Sequence, residues 1–310
     1  MKIYVFKKIA LLFPLLFGIT LITFTLTNAL PGDPVYSMVG ERASQQTIEK
    51  IRKEIGADKG VFRQYLGYVS LLLTGEMGRS YYTNRKVLEE IILKLPNTLK
   101  LAAGAMCIAV PFGILFGLVS AINKSSISDK LITVLSITGL SVPVFWSGLI
   151  LMLFFSLKLK VLPPSGTGNL RYLLLPALTL SLPALASIVR VTRVSVLEVR
   201  DMPFVRTARA KGIKDISINM VHVLKNAMVP IVTVVGLEFG SYLNGAVLTE
   251  TIFGWDGIGR FTMEGIMKRD YPVIMGCIIV GTLLFVLINL LVDVMYYYFD
   301  PRMRVDGTER

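Results

Sequence analysis

The 310-residue chain has a single histidine, His222, two cysteines, Cys107 and Cys277, and no Gly-Lys pair. Each shortage removes a class of chemistry. A zinc protease needs two histidines on one helix face in HExxH, and that motif is missing. No GxSxG elbow presents a serine nucleophile. No GxxxxGK[ST] loop cradles a nucleotide phosphate, so any ATP and Mg must be held by other chains. No catalytic residue, no metal site and no cofactor of its own are expected. Both cysteines fall inside apolar runs and read as small buried residues, not as a disulfide framework. The net charge of +12 does not point to nucleic acid, because no basic stripe lies on a soluble domain.

Charge is missing in a second way. Residues 9–32, 101–123, 131–157, 172–189 and 271–292 contain no Asp, Glu, Lys or Arg, and 226–249 contains only Glu238. The hydrophobic fraction is 53% and the mean hydropathy +0.63. A helix needs about 20 apolar residues to cross a bilayer core of about 30 Å. A chain in lipid must satisfy its own backbone hydrogen bonds, so these stretches are expected to be helices. The fold class is therefore all-α, a polytopic membrane protein with six transmembrane helices. Lys2, Lys7 and Lys8 before the first run resemble a signal peptide. The run is too long for one, and no small-x-small cleavage pattern follows, so a retained first helix is expected.

Residues 33–100 exceed the length over which loop charge sets orientation. Without them, 16 Lys and Arg lie on the side of the amino terminus against 6 on the other. Both termini are therefore expected in the cytoplasm. The chain divides into residues 1–100, a first helix plus an extracytoplasmic helical lobe; 101–300, a five-helix core with a cytoplasmic loop at 196–227; and a cytoplasmic tail, 301–310. In the lobe, Ile48, Ile51 and Ile55 recur at helical spacing after possible caps Ser44 and Thr47. Val61–Leu73 is too short to span and should lie at the interface or pack on the bundle. Val87, Leu88, Ile91, Ile92 and Leu95 form a third stripe before Pro96.

Gly113 with Gly117, and Gly236 with Gly240 and Asn244, are small-residue ridges suited to close helix packing. Pro143, Pro176 and Pro183 should bend or bound their helices. Glu238 lies near the bilayer midplane, where a charge costs on the order of 2.5–3.5 kcal/mol. It is either a pathway acid meeting a cationic cargo group or a paired structural glutamate. Glu238, Ser241 and Asn244 are the pathway candidates. In the loop, Asp201 is a candidate cap, Pro203 suits a first turn and Gly212 suits a left-handed stop. The helix between them is either a projection for another protein to push or a basic positive-inside loop.

Val205–Gly212, with His222-Val223-Leu224-Lys225-Asn226-Ala227, resembles the EAA-loop signature of ATP-binding-cassette importer permeases. The copy is degenerate: Arg206, Thr207 and Ala208 replace Glu, Ala and Ala, and Lys225 replaces Pro. This form is similar to the dipeptide, oligopeptide and nickel permease branch. Further similarities are Leu30-Pro31-Gly32-Asp33-Pro34, Leu95-Pro96-Asn97-Thr98-Leu99, Thr249-Glu250-Thr251-Ile252-Phe253, Gly257-Ile258-Gly259-Arg260, Arg269-Asp270-Tyr271-Pro272 and Asp300-Pro301-Arg302. Asp256 stands where that branch commonly has Pro, and Glu238 where it has an uncharged polar residue. The resemblance implies the type I importer permease fold. It also implies a second homologous permease, two cytoplasmic ATPase subunits, an extracytoplasmic binding protein and short-peptide cargo, with nickel as the alternative. It places ATPase coupling on Phe204, Arg206, Thr207, Ala208, Arg209, Lys211 and Gly212, and a binding-protein-facing loop at Trp255, Asp256 and Arg260. A proton-coupled secondary transporter using Glu238 is the competing class; an intramembrane enzyme is disfavoured by the missing motifs.

Overall fold

The computed structural model describes residues 2–29, 34–39, 43–243 and 246–299. The tail 301–310 and Asn244 lie outside the described residues, as do Leu30–Asp33 and Asp300. Among the described residues there is no strand, only an isolated bridge between Arg79 and Lys86. The chain begins with α1 (Lys2–Ala29). A lobe follows, made of α2 (Pro34–Val39), α3 (Gln45–Glu54) and α4 (Val61–Leu73). The bundle contains α5 (Val87–Ile122), α6 (Ile127–Ser141), α7 (Val144–Leu151) with a π-helical continuation Met152–Lys158, and α8 (Leu170–Arg200). After α9 (Pro203–Ala210), α10 (Asp215–Ser217) and a π-helical turn Ile218–Val223 lead into α11 (Leu224–Leu243). Short α12 (Val247–Ile252) and α13 (Ile258–Lys268) precede α14 (Tyr271–Phe299).

Among the described residues, four helices are long and apolar enough to cross a membrane: α5, α8, the run Asp215–Leu243 and α14. A fifth crossing is broken. The stretch 131–157, expected as one helix, is split into α6 and α7 with a bend of 103°. Pro143 lacks a backbone donor and forces the preceding residue out of the helical region, and Val142 has φ −79° and ψ 126°. α1 is the sixth apolar helix, with its shorter apolar stretch at Ala10–Leu26. Six crossings are compatible with this arrangement.

Two other boundaries differ from expectation. The stripe Val87–Leu95 is not a lobe helix but the first turns of α5, which continues through Pro96 and across residue 100. Its buried residues Val87 and Ile91 pack with Ile258, Val273 and Cys277, and that contact offsets the hydrogen bond that Pro96 cannot make. The stretch 226–249 ends as a helix at Leu243, and α12 is a separate element. In the lobe, Ser44 caps α3 by accepting the Thr47 N–H at 3.2 Å. α4 packs on the bundle: Tyr65 is buried with Phe24 of α1 and Met275 of α14, and its hydroxyl lies 3.2 Å from Thr20 Oγ1.

The core forms where α5 and α8 run side by side in the same direction. A β-carbon on Gly113 would sit 2.7 Å from Ile188 Cγ2. One on Gly117 would sit 2.6 Å from Thr192 Cβ and 2.7 Å from the Val189 carbonyl. The Gly113–Gly117 pair is thus a packing surface, with backbones too close for any side chain. Gly236 and Gly240 serve α11 in the same way, against Val292 and Phe285 of α14.

Gly117→Val should lower stability by about 1–3 kcal/mol, the usual range for overpacking a filled interior. Gly18→Val, where a β-carbon meets nothing within 4 Å, should leave it unchanged. Thermal unfolding in detergent checks this; equal melting of the two variants would contradict the close contact.

Candidate functional site

The two ends of the α5–α8 pair carry different machinery. At the carboxyl end, α8 leads directly into α9. Asp201 does not cap α9, as expected from sequence. It is the carboxyl-terminal cap that follows α8, its N–H bonded to the Glu198 and Val199 carbonyls, and Met202 takes the cap position of α9. The helix stop is as the sequence suggested. Gly212 has φ +76°, its N–H bonds the Arg209 carbonyl at 2.9 Å, and the Ile213 N–H bonds the Ala208 carbonyl at 3.3 Å. That pair of bonds is a Schellman ending, which needs a left-handed residue and favours glycine.

One residue anchors α9. Val205 is fully buried among Leu118 and Ala121 of α5, Val196 and Val199 of α8, and Ile218 and Val223. Phe204, Arg206, Thr207, Arg209, Lys211 and Gly212 are exposed, and Ala208 is half-buried. Arg209 is tied to Asp215 at 3.2 Å. The helix therefore presents an open surface from a fixed base.

Beneath it lies a charged cluster that the sequence did not reveal. Asp129, 4% exposed, accepts two bonds from Arg193 of α8, at 2.7 Å from Nε and 2.9 Å from a terminal nitrogen. Ser120 of α5 donates to the same carboxylate at 2.5 Å, and the Ser125 N–H at 2.9 Å. Arg200 donates to the Ala121 carbonyl at 2.8 Å, satisfying an orphan acceptor at the end of α5. Three helices are pinned together here by a bidentate pair with both oxygens satisfied, the geometry under which a buried ion pair is tolerated.

At the amino end of α5, the motifs met separately in the sequence converge. Glu250 of α12 is fully buried. Thr98 donates to its Oε1 at 2.8 Å and the Arg260 N–H to its Oε2 at 2.9 Å. Thr98 Oγ1 also accepts the Ile258 N–H at 2.9 Å. Gly257 and Gly259 crowd the carboxylate so closely that a β-carbon on Gly257 would overlap it. The Trp255 indole donates to the Asn97 carbonyl at 2.9 Å, the Asn97 amide donates to the Asp256 carbonyl at 2.8 Å, and Lys94 pairs with Asp256 at 2.6 Å. A second buried carboxylate, Asp270, accepts from Ser80 at 2.5 Å and from the Tyr81 N–H at 3.2 Å, fixing the lobe to the start of α14. Burial raises the proton affinity of both acids; the donors around Glu250 and Asp270 oppose this.

The loop residues singled out from sequence divide accordingly. Trp255 is 2% exposed and belongs to the bundle core with Leu101, Leu180 and Tyr242, because its indole finds both an apolar pocket and an acceptor there. Asp256 remains half-exposed, and Arg260 is partly so, donating to the Gly254 carbonyl and to Glu264. Glu238 is half-buried on α11, forms no ion pair among the described residues, and lies near the exposed Ser241. Among the described residues no three His, Cys, Asp or Glu side chains gather into a metal-holding group.

These elements match a known class of protein. The family model described as binding-protein-dependent transport system inner membrane component matches residues 113–305, and its amino-terminal membrane component matches 1–102. The chain belongs to this family of transport permeases, which are multi-pass proteins of the inner membrane and not enzymes. It is 39% identical to the di/tripeptide transport system permease protein DppB of Pseudomonas aeruginosa (strain UCBPP-PA14), over 97% of this chain and 98% of that one. It is 37% identical to the dipeptide transport system permease protein DppB of Escherichia coli (strain K12), with the same coverage. Identity is also 37% to the glutathione transport system permease protein GsiC of Escherichia coli O6:H1, over 97% and 98% of the two chains. An inward-facing structure of the MetNI methionine ABC transporter shares the fold. Its TM-score is 0.59 at 15% identity, over 69% of this chain and 97% of that chain. The architecture is that of an ABC importer permease.

Glu250→Gln should lower stability by about 1–3 kcal/mol, because an amide N–H must then face the Thr98 or Arg260 donor and leave a buried group unpaired. Lys94→Gln should cost less than about 1 kcal/mol, since Asp256 is half-exposed and its pair is screened. Glu250 holds its proton more tightly folded than unfolded. Its contribution to stability is therefore full below the ordinary carboxylate range and shrinks as pH rises through the raised value. Asp270 adds a contribution of the same sign. Melting curves across pH should show a shallower decline in Glu250→Gln than in the unmodified chain; an identical slope would contradict a raised proton affinity at Glu250.

Proposed function

We propose that this chain is one permease subunit of an ATP-driven importer of short peptides. Residues 1–100 form an accessory helix and lobe on the five-helix core of 101–300. Its peptide cargo is supported by one observation above others: relatives named for dipeptide and di/tripeptide transport match 97% of the chain at 37–39% identity. The chain works with a second homologous permease, two cytoplasmic ATPase subunits and an extracytoplasmic binding protein. ATP and Mg are held by the ATPases; this chain binds neither. Both termini lie in the cytoplasm, as the charge asymmetry of the short loops supports.

In this reading α9 is the coupling helix. Its open face, Phe204, Arg206, Thr207, Ala208, Arg209 and Lys211, docks on an ATPase, and Gly212 fixes where it ends. Movement of the ATPases reaches α5, α8 and α11 through Val205, whose neighbours belong to those elements. Glu238 and Ser241, with Asn244, line the route where cargo passes between the two permeases. An unpaired carboxylate there suits the amino group of a peptide. The loop at Asp256 and Arg260 meets the binding protein, with Trp255 holding it from within.

Gly212→Val places a β-carbon in the left-handed region at a cost of roughly 1 kcal/mol or more. It should insert normally yet uncouple peptide uptake from ATP hydrolysis or release the ATPases on purification. Unchanged uptake with ATPases retained would remove the coupling assignment. Transport by the chain without any ATPase would favour a secondary transporter instead.

Glu238→Gln keeps the side-chain volume and removes the charge. Uptake of cationic peptides should fall more than that of neutral ones, by a Coulomb contribution of roughly 1 kcal/mol or more in a partly dry cavity. A loss independent of cargo charge, with a lower melting temperature, would assign Glu238 to packing.

A further inference from the structure

A cleft of about 940 Å³ separates the lobe from the bundle, away from both α9 and the Glu250 cluster. Its floor is apolar: Phe24 of α1, Tyr68 and Leu71 of α4, and Met275 of α14. Tyr68 lines the cleft, and its buried hydroxyl has no hydrogen-bond partner among the described residues. A buried polar atom left unpaired is costly and uncommon, and a bound group or an ordered water can supply the missing bond.

The rim is basic. Lys53, Lys59 and Arg63 line the cleft and form no ion pair with any described residue. Arg79 and Lys86 also line it but are engaged, by the Asn84 carbonyl and by Glu89. Glu54 and Glu76 stand on the same wall and reduce the positive excess without cancelling it. Lys59 and Arg63 flank the amino end of α4, where Gly60 supplies no side-chain cap.

The surroundings are apolar. The outer face of α4 exposes Phe62, 72%, Leu66 and Leu73, 84%, and the adjoining stretch of α1 exposes Leu21, Ile22 and Leu26. An exposed apolar face beside a cluster of cations suits the interfacial plane, among headgroups and upper acyl chains. We propose that the cleft is a binding site for an anionic phospholipid. Lys53, Lys59 and Arg63 meet its phosphate, and the Tyr68 hydroxyl bonds an oxygen near the glycerol. The acyl chains lie over Phe24, Leu71 and the exposed face of α4. A zwitterionic lipid fits less well, because its ammonium group faces the same cations. The bound lipid fastens α1 and α4 to α14, so that lobe and bundle move together. The inference does not rest on the cargo or the coupling role.

The test uses the full chain, extracted from bilayers holding equal amounts of phosphatidylglycerol and phosphatidylcholine, with retained lipid read by native mass spectrometry. Phosphatidylglycerol should be enriched. The triple variant Lys53→Gln, Lys59→Gln, Arg63→Gln should reduce that enrichment on the order of tenfold or more at low salt, since each basic side chain near an anionic surface contributes roughly a fivefold factor. Tyr68→Phe should reduce it about two- to fivefold, the worth of one hydrogen bond. Millimolar inorganic phosphate should not displace the lipid. Equal retention of both lipids, or full enrichment in the triple variant, would overturn the proposal, and displacement by phosphate would assign the site to a free anion. If the triple variant fails to insert, the competition between the two lipids on the unmodified chain decides alone.

Discussion

The close approach of α5 and α8 is the contact on which the rest of the bundle depends. Lipid tails are as apolar as leucine, so burying apolar surface gives helices little reason to associate within a bilayer. What remains is van der Waals contact, which is strong only when backbones come near. Gly113 and Gly117 permit that approach to Ile188, Val189 and Thr192. α11 then packs against this pair, and α14 against α11 through Gly236 and Gly240. A side chain at any of these positions would separate two helices and everything stacked on them.

Polar clusters sit at both ends of α5. Thr98 and Ser120, which bond Glu250 and Asp129, are separated by about 33 Å along the helix at 1.5 Å per residue, close to the thickness of a hydrocarbon core. Buried carboxylates are costly within hydrocarbon and affordable at its edges, where backbone N–H groups of chain reversals can be directed at them. The two clusters solve the same problem differently. Asp129 takes a counter-charge from Arg193, whereas Glu250 and Asp270 rely on neutral donors. Glu250 and Asp270 hold protons more tightly than free carboxylates, because burial disfavours their charged forms.

Rigidity at the two ends frames what is left open between and beyond them. α9 has one buried anchor, Val205, and an otherwise largely exposed surface. Glu238 is the reverse case, an acidic side chain within an apolar helix with no ion-pair partner among the described residues. Such a residue is stable only beside water, cargo or another subunit. The loop holding Asp256 is fixed from beneath by Trp255 and Asn97, so its exposed face is preformed.

The sequence alone determined the apolar helices, the short helix α9 with its glycine stop, and the packing role of Gly113 and Gly117, because these depend on composition and local backbone geometry. The break at Pro143 was visible as a bend, though its size of 103° was not. Tertiary structure alone decided that Leu95–Leu99, Thr249–Phe253 and Gly257–Arg260 form one cluster, that Trp255 turns inward, and that Arg193 reaches Asp129. Arg193 and Asp129 are 64 positions apart, and Thr98 and Ile258 160. Periodicity reports which face of a helix is apolar, but not which distant loop carries the donor that a buried carboxylate will find. That pairing is set only when the packed helices bring the two chain segments to the same end of the bundle.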